Sequence, residues 1–518
     1  MRVFNINKAI GFASSGVEYA QKYRREVFAG IPWVDDYYVF TDYLPLNVSV
    51  YTDRLGFDRA QVLWIYNLVS GRETRPSTVS VDGFLATVAQ PHEAPQHFPD
   101  RVEVALTGSA VRYRLWIVGD GQVDRVETLV GGQVARVDHY DETLSSVEHF
   151  REGRLARRVF YTPDGRVAAE QFYREGEITR TVITPASPLY GRPERHGGAR
   201  PSSFRGDVLL EGRSRFFQHV FARLLSRPDD VVIVDRALDV IDGIYPVIGE
   251  HRLYSVVHAE HFDLKQADDG VLLWNNHYEN VFTRPELVDG FIVSTARQRE
   301  VLERQLATRF PPGGYTVARI PVGVVAAPTR QTEAPYDRLA LVTASRLADE
   351  KHLDVLIRAL AEARAHLPGL RLDIYGEGNR DPLLAVVEET QTGDCVRFLG
   401  HRALEGVLAG YGLYVSASTS EGFGLSLLEA IAEGLPAVGF DVDYGNRELV
   451  EQGVNGCLVP HTSPGEDAHA LAAAIVATLT SESYEGMRRA SARRAEAYTA
   501  SRVRALWERL LAGEEGAC

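Results

Sequence analysis

The sequence predicts an α/β protein with two facing, doubly wound parallel-sheet domains and an inserted antiparallel β-meander. Three observations support this prediction. Strand and helix signals alternate at the start of the chain and again from residue 216 to 321. A second alternating series runs from residue 339 to 440. From about Thr78 to Ile183, apolar and polar residues alternate with a period of two, which is typical of antiparallel strands.

The length of the chain, 518 residues, is too great for one hydrophobic core, so several domains are expected. Pro and Gly cluster from Pro185 to Pro201 and again from Ala326 to Pro335, and we expect linkers there. The expected parts are a Rossmann-like N-terminal domain, the inserted meander, a Rossmann-like C-terminal domain and a C-terminal helix that packs back on the N-terminal domain: 1–50 with 202–328, 51–201, 329–490 and 491–518.

The N-terminal domain is predicted from short apolar runs. Val3–Ile6 reads as a strand, a glycine turn follows, and Val17–Val27 reads as a helix. Phe216–Leu225, within an arginine-rich segment, predicts an amphipathic helix that packs on the core, with a position on an anionic membrane as the alternative. Four more strands are expected in this half: Asp230–Val234, Tyr254–Val257, Phe291–Ser294 and Ala318–Pro321.

Glycine-containing pairs mark the hairpins of the insert, because these residues favour the tight turns that join antiparallel strands. They are Gly119-Asp120-Gly121, Gly131-Gly132, Asp164-Gly165 and Glu175-Gly176. The C-terminal domain is predicted from five buried strands, Leu339–Ala344, Arg371–Tyr375, Val396–Leu399, Leu413–Ala417 and Pro436–Phe440.

Composition excludes some classes of function. The net charge of −14 argues against nonspecific binding of nucleic acid. The three cysteines, Cys395, Cys457 and Cys518, are too widely spaced for a metal framework or a disulfide scaffold, so a reducing cytoplasm is expected. Neither a signal peptide nor a membrane-spanning run is expected from the apolar segments.

The segment Ser420 to Glu429 is the most informative part of the chain. Two glutamates, Glu421 and Glu429, lie eight positions apart around a Gly-Phe-Gly turn, between the strand Leu413–Ala417 and a helix over Leu425–Glu433. Glycines leave the backbone N–H groups at the helix start open to an anion. Carboxylates beside an anion site are suited to bind hydroxyl groups, so the segment predicts a site for a nucleotide sugar.

Two cations are predicted to join this site. Arg346 and Lys351 follow the strand Leu339–Ala344, and lysine is scarce in this chain. Positive charge at the carboxyl end of a strand can neutralise a diphosphate leaving group. The alternative is a solvated turn in which these cations pair with Asp349 and Glu350.

A histidine pair follows the strand Tyr254–Val257. His258 and His261 are three residues apart, which is compatible with a metal, but no third ligand of matching character lies nearby in the sequence. We expect His258 to donate a hydrogen bond to a sugar, because it is closer to the strand end. His261 is the alternative.

Three weaker motifs complete the set. Ser14-Ser15-Gly16-Val17 is a glycine turn that could close on the same phosphates. Tyr375-Gly376-Glu377-Gly378 lacks the spacing of a dinucleotide fingerprint and is expected to be a strand-end turn near a nucleoside. Asp441 and Asp443 resemble a metal–nucleotide carboxylate pair, but we interpret them as structural.

Several of these motifs resemble those of a known family. Glu421 to Glu429, the pair Arg346 and Lys351, and Ile320-Pro-Val-Gly323-Val324 resemble retaining glycosyltransferase family 4, which has the GT-B fold. Further segments resemble one subfamily, the catalytic subunits of the accessory Sec UDP-N-acetylglucosamine:serine-rich-repeat-protein glycosyltransferases. These are Phe4-Asn-Ile-Asn, Ala13 to Gln21, Val257-His-Ala-Glu-His, Trp274-Asn-Asn, Phe291-Ile-Val-Ser-Thr and Gly439-Phe-Asp-Val.

The resemblance implies a role for each site residue. Glu429 would hold the ribose hydroxyls, and Glu421 would contact the donor sugar beside its anomeric carbon. Arg346 and Lys351 would neutralise the UDP phosphates in place of a metal, so neither a metal nor another cofactor is expected. His258 would orient the sugar. The backbone contacts to sugar and phosphate would come from Gly16, Phe423, Gly424 and Leu425.

The resemblance also implies transfer of N-acetylglucosamine from UDP to Ser/Thr hydroxyls of a Ser-rich polypeptide. The insert would hold this acceptor or a partner, either a second, homologous subunit or another copy of the chain. Contact with the inner face of the cell membrane would be peripheral at most. A teichoic-acid α-N-acetylglucosaminyltransferase, a noncatalytic polypeptide-binding subunit and a retaining glycosidase are the alternatives.

Overall fold

The computed structural model describes residues 1–11, 16–191, 202–204, 206–263, 272–311, 314–326 and 335–514. The chain divides into two compact units. The first comprises Met1–Ser14, Trp33–Ser255 and Asn276–Asp289, and the second comprises Ser15–Pro32, Val256–Asn275 and Gly290–Cys518. The Ser14-Ser15 part of the N-terminal glycine turn and most of the two expected linkers, residues 192–201 and 327–334, lie outside the described residues.

Within the described ranges the strands, in chain order, are β1 (Arg2–Asn7), β2 (Asp35–Phe40), β3 (Val62–Trp64), β4 (Gln96–His97), β5 (Arg101–Ala105), β6 (Val111–Val118), β7 (Gln122–Val130), β8 (Gln133–Tyr140), β9 (Leu144–Arg151), β10 (Arg154–Tyr161), β11 (Val167–Arg174), β12 (Glu177–Ile183), β13 (Ser202–Phe204), β14 (Asp207–Glu211), β15 (Val231–Val234), β16 (Arg252–Val257), β17 (Gly290–Val293), β18 (Thr316–Arg319), β19 (Asp337–Ala344), β20 (Arg371–Tyr375), β21 (Val396–Gly400), β22 (Tyr411–Val415), β23 (Ala437–Phe440) and β24 (Gly456–Val459). The helices are α1 (Gly16–Phe28), α2 (Val48–Arg54), α3 (Ile65–Ser70), α4 (Val81–Leu85), α5 (Gly212–Leu224), α6 (Ile241–Ile248), α7 (Glu279–Phe282), α8 (Ala296–Ala307), α9 (Leu353–Ala363), α10 (Asp381–Glu389), α11 (Leu425–Ala432), α12 (Gly445–Leu449), α13 (Pro464–Thr480), α14 (Tyr484–Ala495) and α15 (Ala500–Ala512).

Parallel strands of the first unit have the order β16-β15-β1-β2-β3. All four residues of β15 are buried, as is typical of a parallel strand covered on both faces. The insert was expected to begin at residue 51, but β3 still pairs in parallel with β2, so the parallel strands continue to Trp64. Helix α5 buries Phe216, Phe217 and Phe221, which supports the core interpretation of this arginine-rich segment.

The insert is an antiparallel sheet within the first unit, with the order β13-β14-β12-β11-β10-β9-β8-β7-β6-β5-β4. Most strands that are consecutive in the sequence are also adjacent in this sheet, as in a meander. The predicted turns join them: Gly131 and Gly132 connect β7 to β8, and both have positive φ, at 58° and 84°. Glycine adopts such angles without a steric penalty, which is why these pairs predicted the hairpins correctly.

A second parallel sheet lies in the second unit and has the order β21-β20-β19-β22-β23-β24. Alternate residues of β19 enter two different core clusters. Leu341 packs with α9 and α13, whereas Ala340 and Val342 pack with α11. Helices therefore cover both faces, which is the doubly wound arrangement that the sequence predicted. The unit also contains the parallel pair β17–β18 and the helix α1.

The C-terminal helix α15 packs on α1 within the second unit. The ring of Trp507 meets that of Phe28 edge to face at 5.1 Å, and the guanidinium of Arg24 lies 5.2 Å from the Trp507 ring. These contacts fix α1 from one side. None of the helices in the described ranges is both long enough and apolar enough to cross a membrane.

Candidate active site

The two-glutamate segment forms a turn and a helix in the second unit. Helix α11 begins at Leu425, directly after Gly424, whose φ of 84° lies in the left-handed region that glycine tolerates. Glu421 precedes the helix, and Glu429 lies in its second turn. The opposite face of α11 buries Leu427, Leu428, Ala430 and Ile431. The hydrophobic core therefore fixes α11, and the helix and the turn before it fix the positions of Glu429 and Glu421.

Gly422 allows a close approach of two backbone segments. A Cβ atom at this position would lie 1.9 Å from the carbonyl oxygen of His258 and 3.1 Å from the Cα atom of Ala259. Only glycine fits there without a shift, because the atoms in the way belong to the backbone of His258 and Ala259. The carboxyl end of β16 is thereby brought against the turn that carries Glu421.

A second contact explains another of the motifs. A Cβ atom at Gly323 would lie 2.6 Å from Leu425 and 3.1 Å from the ring of Phe423. Phe423 is itself buried, and its ring meets that of Tyr498 edge to face at 5.6 Å. The Phe423 side chain thus anchors the turn, which leaves its backbone as the part that can face a ligand.

Lys351 and Glu421 form an ion pair across the site. Nζ of Lys351 donates to Oε1 of Glu421 at 2.6 Å, and the two side chains are only 15% and 21% exposed. Lys351 ends a short 3₁₀ turn, Asp349–Lys351, which follows β19. The sequence predicted both residues for one site, and the structure brings them together.

Arg346 is placed differently. Its guanidinium donates to Oε1 of Glu350 at 2.8 Å, and both side chains are largely exposed, at 60% and 49%. This is the pairing that the sequence offered as the alternative for the cations. Exposed pairs of this kind are weak, typically below about 1 kcal/mol. Because this ion pair is weak, the Arg346 guanidinium can leave Glu350 for an anion that binds it more tightly.

Glu429 has a partner that the sequence did not predict. The hydroxyl of Tyr23 on α1 donates to Oε1 of Glu429 at 2.6 Å. Burial raises the pKa of Glu429, while the Tyr23 hydrogen bond and the charge of Lys22 oppose this rise. The only sequence signal was the spacing of Tyr19 and Tyr23, which puts two phenols on one face of α1. On the same helix face, the hydroxyl of Tyr19 lies 3.0 Å from Nε2 of His401.

The two histidines after β16 have different environments. His261 is buried between the rings of Trp274 and Tyr444, at 6.1 and 6.0 Å, and its Nε2 meets Oε1 of Gln305 at 2.8 Å. Burial lowers its pKa to about 4. His258 is half-buried, and its backbone contacts the Gly422 turn. This favours His258 as the histidine that can reach a ligand.

Other carboxylates near this turn form hydrogen bonds or ion pairs with neighbouring residues. Burial raises the pKa of Glu260, which accepts a hydrogen bond from the hydroxyl of Ser420 at 3.4 Å. Arg447 binds both Asp441 and Asp443. The aspartate pair is thus engaged with an arginine, as the structural interpretation expects.

The Tyr375–Gly378 turn packs on the loop after β19. A Cβ atom at Gly376 would meet the carbonyl of Ser345 at 1.8 Å, and one at Gly378 would meet that of Leu347 at 2.6 Å. The N–H of Leu347 donates to the carbonyl of Glu377 at 2.9 Å. These glycines therefore allow the turn to support the loop that carries Arg346.

Gly16 is the first residue of α1, is exposed, and has open space around its Cα atom. It lies on the same helix as Tyr23. Among the described residues, no group of three or more His, Cys, Asp or Glu side chains is arranged to hold a metal ion.

Comparison with known proteins agrees with this fold. Residues 338–481 match the family described as glycosyl transferases group 1. The UDP-N-acetylglucosamine–peptide N-acetylglucosaminyltransferase GtfA subunit of Streptococcus gordonii is 35% identical to the chain, over 99% of this chain and 98% of that protein.

Two solved structures cover 99% of both chains. The pneumococcal O-GlcNAc transferase GtfA, solved in complex with UDP and GlcNAc, has a TM-score of 0.89 at 33% identity. A chain of the GtfA/B complex has a TM-score of 0.84 at 34% identity.

The fold and these comparisons define a glycosyltransferase of the GT-B class, which confirms the predicted fold. More narrowly, the chain belongs to the family of UDP-N-acetylglucosamine–peptide N-acetylglucosaminyltransferase GtfA subunits. The teichoic-acid alternative has only distant support. The poly(ribitol-phosphate) α-N-acetylglucosaminyltransferase of Staphylococcus aureus is 28% identical over 40% of each chain.

Proposed function

We propose that this chain transfers N-acetylglucosamine from UDP-N-acetylglucosamine to Ser or Thr hydroxyls of a Ser-rich polypeptide, with retention at the anomeric carbon. One observation carries the proposal: Lys351, from the loop after β19, contacts Glu421, and the turn that holds Glu421 leads into the helix that carries Glu429. A cation for the phosphates thus contacts the segment that supplies a carboxylate for the sugar and a carboxylate for the ribose.

Positive charge would hold the leaving group. Lys351 would neutralise the diphosphate, and Arg346 would join it by exchanging its exposed partner Glu350 for a phosphate oxygen. Preorganised charge of this kind is often the largest catalytic contribution. These side chains would serve in place of a metal, so we propose that transfer is metal-independent.

Carboxylates and backbone groups would orient the donor. Glu429 would accept hydrogen bonds from the ribose hydroxyls, and Glu421 would contact the sugar beside its anomeric carbon. His258 would orient the sugar from the end of β16. The N–H groups at the start of α11, from Phe423, Gly424 and Leu425, would meet the sugar and the phosphates, and Gly16 at the start of α1 would approach the same phosphates.

The reaction is a substitution on one face of the sugar. The bond between the anomeric carbon and the phosphate oxygen breaks, and its electron pair leaves with UDP. The acceptor hydroxyl oxygen forms the new bond on the face that UDP leaves. Its proton passes to the departing phosphate oxygen, so the products are the glycosylated polypeptide and UDP.

The domains would divide these tasks. Residues 329–490 would bind the nucleotide sugar, residues 1–64 with 202–328 would face the acceptor, and the antiparallel meander that follows β3 would hold the acceptor or a partner. The helix 491–518 would pack back on the N-terminal domain. We propose a second, homologous subunit as the partner, since one relative was solved in a GtfA/B complex. A cytoplasmic location with at most peripheral membrane contact fits the free Cys395 and Cys457.

A donor panel tests the proposal. The protein is incubated with a Ser/Thr-rich peptide and each of several UDP-sugars, with and without a candidate partner subunit, and the intact peptide mass is measured. We expect a mass gain of N-acetylhexosamine with UDP-N-acetylglucosamine, and none with Glu421→Gln. UDP-sugar binding without any transfer would instead favour a noncatalytic subunit, and release of free sugar from a glycoside without nucleotide would favour a glycosidase.

A further inference from the structure

The contact between Tyr23 and Glu429 joins two elements that are far apart in sequence. Tyr23 lies near the middle of α1, and Glu429 lies in the second turn of α11. Their side chains meet at 2.6 Å, with the phenol as donor and Oε1 as acceptor. Oε2 of Glu429 accepts no hydrogen bond from the described residues, so this oxygen is left for a ligand.

Both helices are held by contacts that do not involve this hydrogen bond. Helix α1 is fixed by Phe28 and Arg24 against Trp507 of α15. Helix α11 is fixed by its buried face. The phenol therefore meets the carboxylate in one geometry, and it is not a flexible surface group that happens to lie near.

The protonation states of Tyr23 and Glu429 favour this hydrogen bond. Burial and the neighbouring Glu429 carboxylate raise the pKa of Tyr23, so the phenol keeps its proton and remains a donor. Burial also raises the pKa of Glu429, whereas the hydrogen bond from Tyr23 favours the ionised form. The other groups facing this carboxylate are Lys22, which favours ionisation, and Glu405 and Tyr414.

We propose that Tyr23 is a positioning residue of the nucleotide site, which fixes the Glu429 carboxylate through its hydrogen bond to Oε1 and directs the second oxygen toward the ribose hydroxyls. This inference depends on the proposed function, because it assigns Glu429 to the ribose. The hydrogen bond is charge-assisted, and loss of one such bond typically reduces affinity about tenfold or more. Tyr23 does not touch the reacting atoms, so its effect should fall on donor binding and not on the chemical step.

The test compares Tyr23→Phe with the matched control Tyr19→Phe, which removes a phenol one turn earlier on the same helix face. Calorimetry measures the Kd for UDP, and steady-state transfer measures KM for the UDP-sugar and kcat. For Tyr23→Phe we expect Kd and KM to rise about tenfold with kcat nearly unchanged. For Tyr19→Phe we expect wild-type values.

Two further measurements separate positioning from a general structural effect. In a Glu429→Ala background, Tyr23→Phe should produce no further loss, because the side chain that accepts its hydrogen bond is already gone. In the single variant, the acidic limb of the pH profile of UDP binding should move to higher pH, since the bond that favours ionisation is lost. Circular dichroism melting checks that each variant is folded.

The outcomes distinguish the two proposals. If wild type binds UDP and folded Tyr23→Phe binds it equally well with an unchanged pH profile, Tyr23 is not a positioning residue, and the proposed function stands. Equal losses in the wild-type and Glu429→Ala backgrounds would also overturn the inference. If wild type neither binds UDP nor transfers sugar, the proposed function itself fails.

Discussion

The ammonium of Lys351 lies 2.6 Å from the carboxylate of Glu421, although 70 residues separate them in the sequence. Both side chains are largely shielded from solvent, so water screens their attraction less than it screens that of exposed ion pairs. A lysine held at the end of a strand next to a glutamate at a helix start is suited to meet a diphosphate and a sugar. The pair links two parts of the proposed donor site.

Removal of the Lys351 charge should abolish most of the activity. We expect Lys351→Ala to reduce kcat/KM by roughly 100-fold or more, which corresponds to about 3 kcal/mol of transition-state stabilisation. Arg358→Ala is the matched control, because it removes a cation from α9 whose partner Glu389 is exposed. A wild-type rate for folded Lys351→Ala would exclude the role of this residue.

Substitution of His258 should affect sugar transfer more than nucleotide binding. We expect His258→Ala to lower kcat while the affinity for UDP is retained, because the proposed contact is with the sugar and not the nucleotide. Transfer kinetics together with UDP calorimetry measure the two effects. The assignment is contradicted if His258→Ala transfers N-acetylglucosamine as fast as wild type.

The buried histidine should make stability depend on pH. Burial lowers the pKa of His261 from 6.5 to about 4, so the unfolded state binds a proton in this range and the folded state does not. The free energy of unfolding should therefore fall by about 3 kcal/mol from this group as pH decreases from 6.5 to 4. Urea titrations across this range measure it. His261→Phe should show a smaller pH dependence, and an unchanged slope would contradict the assignment.

A methyl group at Gly422 should disrupt the site. The added Cβ would lie 1.9 Å from the carbonyl oxygen of His258, and we expect Gly422→Ala to cost about 3 kcal/mol or more, or to displace the turn. Gly486→Ala on α14 is the control, because its Cβ meets no atom within 4 Å. Thermal melting and transfer assays compare the two, and equal behaviour would show that the backbones are not in close contact.

Local sequence signals predicted much of the fold. Apolar runs located five of the six strands of the C-terminal sheet to within about two residues, and Arg371–Tyr375 was predicted with its observed ends. The edge strand Gly456–Val459 was not predicted. The glycine pairs predicted hairpins because positive φ is a local requirement. The continuation of the parallel strands to Trp64 was missed, since β3 has only three residues and gains its order from pairing with β2.

The candidate site was predictable where its residues lie in one segment. Glu421 and Glu429 belong to one turn and helix, so their spacing alone located them. The contact of Tyr23 with Glu429 spans 406 residues, and no local pattern reports such a distance. The pairing of Arg346 with Glu350 could be anticipated, but the choice between this partner and a phosphate depends on what occupies the site.

A crystal structure of the protein with bound UDP tests the central claim most directly. The account predicts the diphosphate within hydrogen-bonding distance of Lys351, with Arg346 turned from Glu350 toward it, and the ribose hydroxyls on Oε2 of Glu429 while Tyr23 remains on Oε1. UDP bound elsewhere, or bound here without contact to either Lys351 or Glu429, would contradict it.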